Sequence, residues 1–185
     1  MSSLNNSIVP PLRLTFLMWL VYTVEMYSSF DFGFLGIYPR KLSGLVGVAF
    51  APMIHGDVMH LASNTFPVIF LGSTLYLFYD RIASYVFFQC YVFTGILVWI
   101  FGRSSYHIGA SGLVYGLAFF LISFGIFRKD FKSILISLIV IAFYGGLIYG
   151  ILPVSSSVSW ESHLMGAIVG VATASVYSKI VRIST

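Results

Sequence analysis

The stretch Gly109-Ala110-Ser111-Gly112, with Tyr115 four residues beyond the serine, decides how this chain is read. It sets one hydroxyl among small residues at the head of an apolar run. Ser111 therefore has little side-chain cover, and other backbone can approach it closely. A serine so placed is either a packing residue or a nucleophile, and a motif this short on its own more often means packing. The rest of the chain decides between the two.

Composition comes first. The 185 residues are 58% hydrophobic and 9% charged, with a mean hydropathy of +0.94. Soluble domains carry about a quarter charged residues, so this chain has too little polar surface for a water-exposed exterior. Several apolar runs of roughly 18 to 22 residues are each long enough to cross about 30 Å of hydrocarbon. We expect one all-α membrane domain over residues 12–181, an N-terminal cytoplasmic segment 1–11 and a short tail 182–185. Residues 1–11 are polar and lack a cleavable leader pattern, so the first apolar run is expected to stay as a signal anchor. Cys90 is the one cysteine, which excludes an internal disulfide and a thiolate metal site. Neither zinc spacing nor a phosphate loop nor a basic-aromatic face is present, so the expected set contains no metal, no cofactor and no nucleic acid.

Six spans are expected: Leu12 to Phe30, Asp57 to Tyr79 with Asp57 as N-cap, Ile82 to Phe101, Ala110 to Phe127, Ser133 to Leu152 and His163 to Val181. Asp80 and Arg81 are read as a tight polar turn, and Pro153 to Ser162 as a serine-rich loop. Residues 31–56 are punctuated by Gly33, Gly36, Pro39, Gly44, Gly47 and Pro52, yet are apolar from Leu42 to Phe50. They suggest an interfacial first loop with Arg40 and Lys41 reaching the headgroups. Glu25 is costly in lipid and should face protein or water, most simply in a hydrogen bond to a neighbouring helix.

An even number of spans puts both termini on one side. Arg13, Arg81, Arg128, Lys129, Lys132, Lys179 and Arg182 share it, against Arg40, Lys41 and Arg103 opposite. Seven against three makes the termini cytoplasmic. The net charge of +4 then follows from topology and anionic lipid. Compact size points to a bacterial plasma (inner) membrane.

In this topology all four histidines, His55, His60, His107 and His163, fall on the non-cytoplasmic side with Ser111. His60 and Asn64 are four apart and share a helix face. His163 opens the last span, which carries Gly166, Gly170 and Ala174 at intervals of four. The serine's helix carries Gly112 and Gly116 at the same interval, so the two helices can approach closely beside both polar residues. Each piece alone has an ordinary structural explanation: an interfacial histidine, a polar pair tying helices, a packing ridge, a helix cap at Asp57, a solvated Glu161. His55 and His107 have no chemistry assigned on physical grounds.

The combination resembles the rhomboid family of intramembrane serine proteases over roughly Gly36 to Ser178. In that family a serine in Gly-x-Ser-Gly at the head of the fourth helix pairs with a histidine heading the sixth. Ser111 and His163 match those positions, and His55, His60 and Asn64 match a His-x4-His-x3-Asn pattern at the second helix. The resemblance implies a six-helix rhomboid-like bundle with a wet cavity open to the non-cytoplasmic side. Ser111 would be the nucleophile and His163 the general base and acid, with an oxyanion site from His60, Asn64 and the Ser111 backbone N–H. Tyr115 would pack on the histidine, and Gly109, Gly112, Gly166, Gly170 and His55 would support the site. Substrates would be membrane proteins whose transmembrane segment is helix-destabilised. Two departures stand out. The Trp-Arg pair common in the family's first loop is replaced by Tyr38, Pro39 and Arg40, and Ser162 precedes the histidine where alanine is frequent. A non-catalytic client binder of the same fold, and a small transporter using Glu25 and the histidines, are the alternatives.

Overall fold

The computed structural model describes residues 4–28, 30–153 and 158–183. They are all-helical apart from one isolated antiparallel bridge between Ile37 and His107. Seven α-helices follow in order: α1 Leu4–Ser28, a short α2 Gly47–Phe50 within the first loop, α3 Val58–Phe78, α4 Asp80–Phe101, α5 Ser111–Arg128, α6 Phe131–Tyr144 and α7 Trp160–Ile183. Five segments, beginning at Ser7, Val58, Asp80, Ser111 and Phe131, are long and apolar enough to cross a membrane. The sixth expected span falls on the 24-residue α7, which is not among these five. Large apolar side chains such as Phe66, Phe88, Phe131 and Phe143 cover the outside, a surface that suits lipid and not water.

The centre is α5, whose residues from Gly112 to Leu117 are all buried, as are Phe120, Leu121 and Phe124. Lipid tails are as apolar as leucine, so nothing but close packing and hydrogen bonds holds such helices together. The most extensive contact is between α5 and α7, at the expected ridge. A Cβ on Gly166 would overlap the Gly112 carbonyl, and one on Gly170 would overlap the Gly116 carbonyl. The backbones touch there, and only hydrogen fits between them. On the other side of α5, a Cβ on Gly125 would overlap the Ser133 carbonyl of α6, and Ser137 Oγ donates to Ile122 O at 2.9 Å.

Several boundaries differ from expectation for identifiable reasons. The first helix starts at Leu4, well before Leu12, because Ser7, Pro11, Leu14 and Met18 continue one buried stripe against α3. Pro10 and Pro11 lie inside it, and Pro11 fills the space left by Gly72. Asp80 and Arg81 do not form a turn: α4 begins at Asp80 and only Tyr79 separates it from α3. The fifth span tightens into a 3-10 helix over Gly145–Ile151, where Gly145, Gly146 and Gly150 remove the side chains that would hold an α-helix. Asp57 caps α3 as expected, accepting from His60 N at 2.8 Å.

The first loop is built of 3-10 turns and α2, and its cations have partners within the protein. Arg40 stands at φ 60 and donates to Gly102 O at 2.9 Å and Ile100 O at 3.3 Å. Its guanidinium thus closes the C-terminus of α4. Lys41 Nζ lies 4.1 Å over the Tyr38 ring. In return, Trp99 Nε1 on α4 donates to Lys41 O at 2.8 Å. An arginine and a tryptophan still clasp this loop, the tryptophan coming from α4. Glu25 accepts from Phe32 N at 2.8 Å, a bond to the loop that follows its own helix and not to a neighbouring helix.

The α5–α7 contact gives a direct test. Gly170→Ala is expected to lower the melting temperature in detergent, the cost being about 1–3 kcal/mol of overpacking. Gly146→Ala, where nothing lies within 4 Å of an added Cβ, should leave it unchanged. Equal melting temperatures for the two variants would contradict the backbone contact.

Candidate active site

Ser111 is the first residue of α5, and the chain reaches it through Gly109 at φ +99, a backbone conformation that suits glycine. Gly109 N donates to Ala51 O at 2.9 Å, anchoring the turn to the first loop. An added Cβ at Gly109 would lie 2.6 Å from His60 Nε2, so the missing side chain also makes room for that imidazole. The N-cap, Ala110, has no side-chain acceptor. The first-turn N–H groups of α5 are therefore uncapped at the positive end of the helix dipole, beside a half-buried serine hydroxyl.

His163 lies in the first turn of α7 and is 9% exposed. Its Nδ1 is 2.9 Å from Gly150 O; a carbonyl only accepts, so Nδ1 carries the hydrogen and Nε2 keeps its lone pair as a base. The ring stacks on Tyr115, centroids 4.1 Å apart and planes 3° from parallel. Gly150 is required here, since a Cβ would overlap the Tyr115 hydroxyl.

On α3, Asn64 is buried and donates through Nδ2 to His60 O at 2.9 Å, which holds the amide in place and leaves it a second N–H. His60 meets His55 edge to face, centroids 4.9 Å apart at 66°. His55 is 1% exposed; Nδ1 lies 3.4 Å from Met53 O and Nε2 is buried without a partner. Burial, reinforced by the neighbouring His60, pushes the His55 pKa down to about 4 against the weaker opposing pull of Met53 O and Asp57.

His107, which the sequence left without a role, holds the far side together. Its backbone exchanges both bridge hydrogen bonds with Ile37 at 2.9 Å. Nε2 lies 3.1 Å from Arg103 O and must be the donor, so Nδ1 accepts from Ser159 Oγ at 2.5 Å. Ser162 Oγ, 2.7 Å from Ser159 Oγ, then donates to it. The hydroxyl noted as a departure before His163 is thus the end of a chain running back to the first loop. Burial lowers the His107 pKa, opposed by the Arg103 carbonyl and by Glu161. Glu161 is neither solvated nor a cap: it is 3% exposed and pairs with Arg103 Nε at 3.5 Å. These partners lie some fifty residues apart in the chain, and no local pattern announces them. Residues 154–157, part of the expected serine-rich loop, lie outside the described residues.

Ser111, Tyr115, His163, His60 and Asn64 line one cavity of about 710 Å³. Asp57, Pro67, Arg103, Tyr106 and Val158 are among the other residues of its wall. His55 sits behind His60, while Gly109 and Gly112 bound a small space behind the serine. Among the described residues, no three of His, Cys, Asp or Glu are grouped to hold a metal ion. The arrangement offers a hydroxyl, an imidazole with a free lone pair, and N–H donors in a sheltered polar recess at one end of a lipid-facing bundle.

Fold, surface and recess together define an integral membrane protein with a polar cavity among its helices. The model of the Rhomboid domain matches residues 42–180, and the chain belongs to the rhomboid family. Uncharacterized proteins of Mycobacterium tuberculosis and Mycobacterium bovis are each 36% identical over 169 residues, covering 85% of this chain and 70% of theirs. One from Mycobacterium leprae is 35% identical over 167 residues, covering 85% of this chain and 66% of its own.

The depressed His55 pKa has a consequence for stability. An unfolded histidine takes up its proton near pH 6.5, and folded His55 only near 4. Between those values the unfolded state binds more protons, so stability present above about pH 6.5 is lost as pH falls toward 4. The melting temperature in detergent should decline over that window, and His55→Gln should make the decline shallower by one proton. An identical slope in the variant would show that His55 is already charged in the fold.

Proposed function

We propose that this protein is an intramembrane serine protease that hydrolyses a peptide bond in or near a transmembrane segment of a membrane-protein substrate. The observation that carries the proposal is the convergence of Ser111, His163, His60 and Asn64 on one cavity, with the imidazole stacked on Tyr115 and its Nδ1 engaged by Gly150. Membership of the rhomboid family supports the reaction class.

His163 Nε2 accepts the Ser111 proton as Oγ attacks the scissile carbonyl, then returns it to the leaving amine. Water next enters, His163 takes its proton, and the acyl-enzyme is hydrolysed. A dyad is sufficient because the orienting work of a third carboxylate is done by the Gly150 carbonyl and the Tyr115 face. The tetrahedral oxyanion is met by Asn64, His60 and the Ser111 N–H at the positive end of α5. A helical substrate hides its carbonyls in hydrogen bonds, so its segment must unwind to enter, which favours small or helix-breaking residues at the cleavage point.

In this proposal α7 completes six spans, the first loop lies in the interface, both termini are cytoplasmic, and the cavity opens on the non-cytoplasmic side of the cell membrane. Glu25, bonded to a backbone N–H, gives no support to a transport path.

A fluorophosphonate probe is expected to label the purified protein at Ser111, and labelling should vanish in Ser111→Ala and fall strongly in His163→Ala. Both variants should lose cleavage of a membrane-spanning reporter while keeping the wild-type melting profile. Cleavage at wild-type rate by either would remove the dyad. Absence of labelling and cleavage in the wild-type protein would favour a non-catalytic client binder.

Asn64→Ala should lower kcat by about 10²- to 10³-fold with substrate affinity little changed, as for a donor acting in the transition state. An unaltered kcat would exclude Asn64 from the oxyanion site.

A further inference from the structure

The opposite end of the bundle carries a second cleft. The 18 residues of α5, at ~1.5 Å each, put it about 27 Å from Ser111. It has a volume of about 160 Å³ and lies where the α3–α4 and α5–α6 connections meet, walled by Tyr79, Arg81, Arg128, Asp130 and Lys132. That is small for a drug-sized ligand, whose pockets begin near about 300 Å³. It suits one compact polar group.

Its donors are arranged for an anion. Lys132 Nζ donates to Phe78 O at 2.7 Å and lies 5.2 and 5.4 Å over the Phe78 and Tyr79 rings. An ammonium has three hydrogens, so this anchoring still leaves donors for a ligand. The carboxylate of Asp130 is already engaged, by Arg128 Nε at 2.6 Å and by Ser133 N and Oγ at 3.1 and 2.7 Å. One Asp80 oxygen accepts Arg81 N at 2.9 Å. Three cations against two carboxylates leave one positive charge. Tyr79 supplies the independent indication: it is 8% exposed, lines the cleft, and its buried Oη makes no well-formed hydrogen bond, its neighbour Ser133 Oγ offering a lone pair only from the edge while its hydrogen goes to Asp130. A buried phenol left unpaired is costly unless something occupies the site.

We propose that this cleft binds a single phosphate group, carried by an anionic phospholipid headgroup or present as free phosphate, through Lys132 Nζ and Tyr79 Oη. Basic pockets between helix ends at the membrane surface have the charge and depth for such a group. The site is independent of the chemistry at Ser111.

The test is thermal unfolding of the purified full chain in uncharged detergent, titrated with dioleoylphosphatidylglycerol, dioleoylphosphatidylcholine, or sodium phosphate against chloride at equal ionic strength. Phosphatidylglycerol is expected to raise the melting temperature where phosphatidylcholine does not, which identifies the headgroup. A rise with phosphate alone identifies the free ion. Lys132→Gln should abolish the rise, and Tyr79→Phe, which keeps the ring packed edge-on to Phe124, should weaken the titration about tenfold for one lost bond to a charged partner. Lys41→Gln, at the other end of the bundle, should retain it. The proposal fails if neither phosphatidylglycerol nor phosphate exceeds its control, if both cleft variants keep the full response, or if Lys41→Gln loses as much.

Discussion

The contact between the α5 and α7 backbones, at Gly112 and Gly116 against Gly166 and Gly170, is the constraint on which everything else depends. Within lipid, apolar side chains gain nothing from leaving one hydrocarbon for another, so helix association rests on how closely surfaces fit. Four glycines let two backbones touch, and that contact fixes the separation of the helix heads carrying Ser111 and His163. The same crossing turns Tyr115 onto the imidazole. Packing and chemistry share these residues, which is why the ridge lies directly under the polar recess.

Around that contact, the polar groups that hold His163 find their partners within the protein. His163 is restrained from three sides: a stacked ring, the Gly150 carbonyl, and Ser162, whose hydroxyl leads through Ser159 to His107. Glu161 is deeply buried beside the same turn, and its charge is tolerable because Arg103 pairs with it; loss of the arginine would strand a buried carboxylate. The loop before α5, the start of α7 and the first loop, distant in sequence, thus form one bonded unit around His163.

Much of this was legible in the chain itself. Apolar runs announced the helices, Asp57 announced the start of α3, and intervals of four announced the α5–α7 ridge. Ser111, His60, Asn64, Tyr115 and His163 could be grouped before any geometry, by topology and by resemblance to a family. What stayed hidden depends on partners far away. Residues 1–11 read as a polar segment ahead of the first span, yet burial against α3 carries the helix back to Leu4. The hold of Arg40 on α4 was hidden because its acceptors are carbonyls sixty residues on, and main-chain oxygens leave no trace in a sequence. His107 was unassigned for the same reason. Gly150 was one glycine among several until Tyr115 and His163 were seen against it.

The Arg40 clasp has a consequence for how the protein sits in its bilayer. The last carbonyls of a membrane helix normally oblige it to reach the polar boundary, because hydrocarbon offers them nothing. Arg40 satisfies two of them at Ile100 and Gly102, and Trp99 returns a bond to the loop. The end of α4 is thereby released from that obligation: its last carbonyls are satisfied by protein wherever the bilayer surface falls, and the helix end and the first loop are held as one piece.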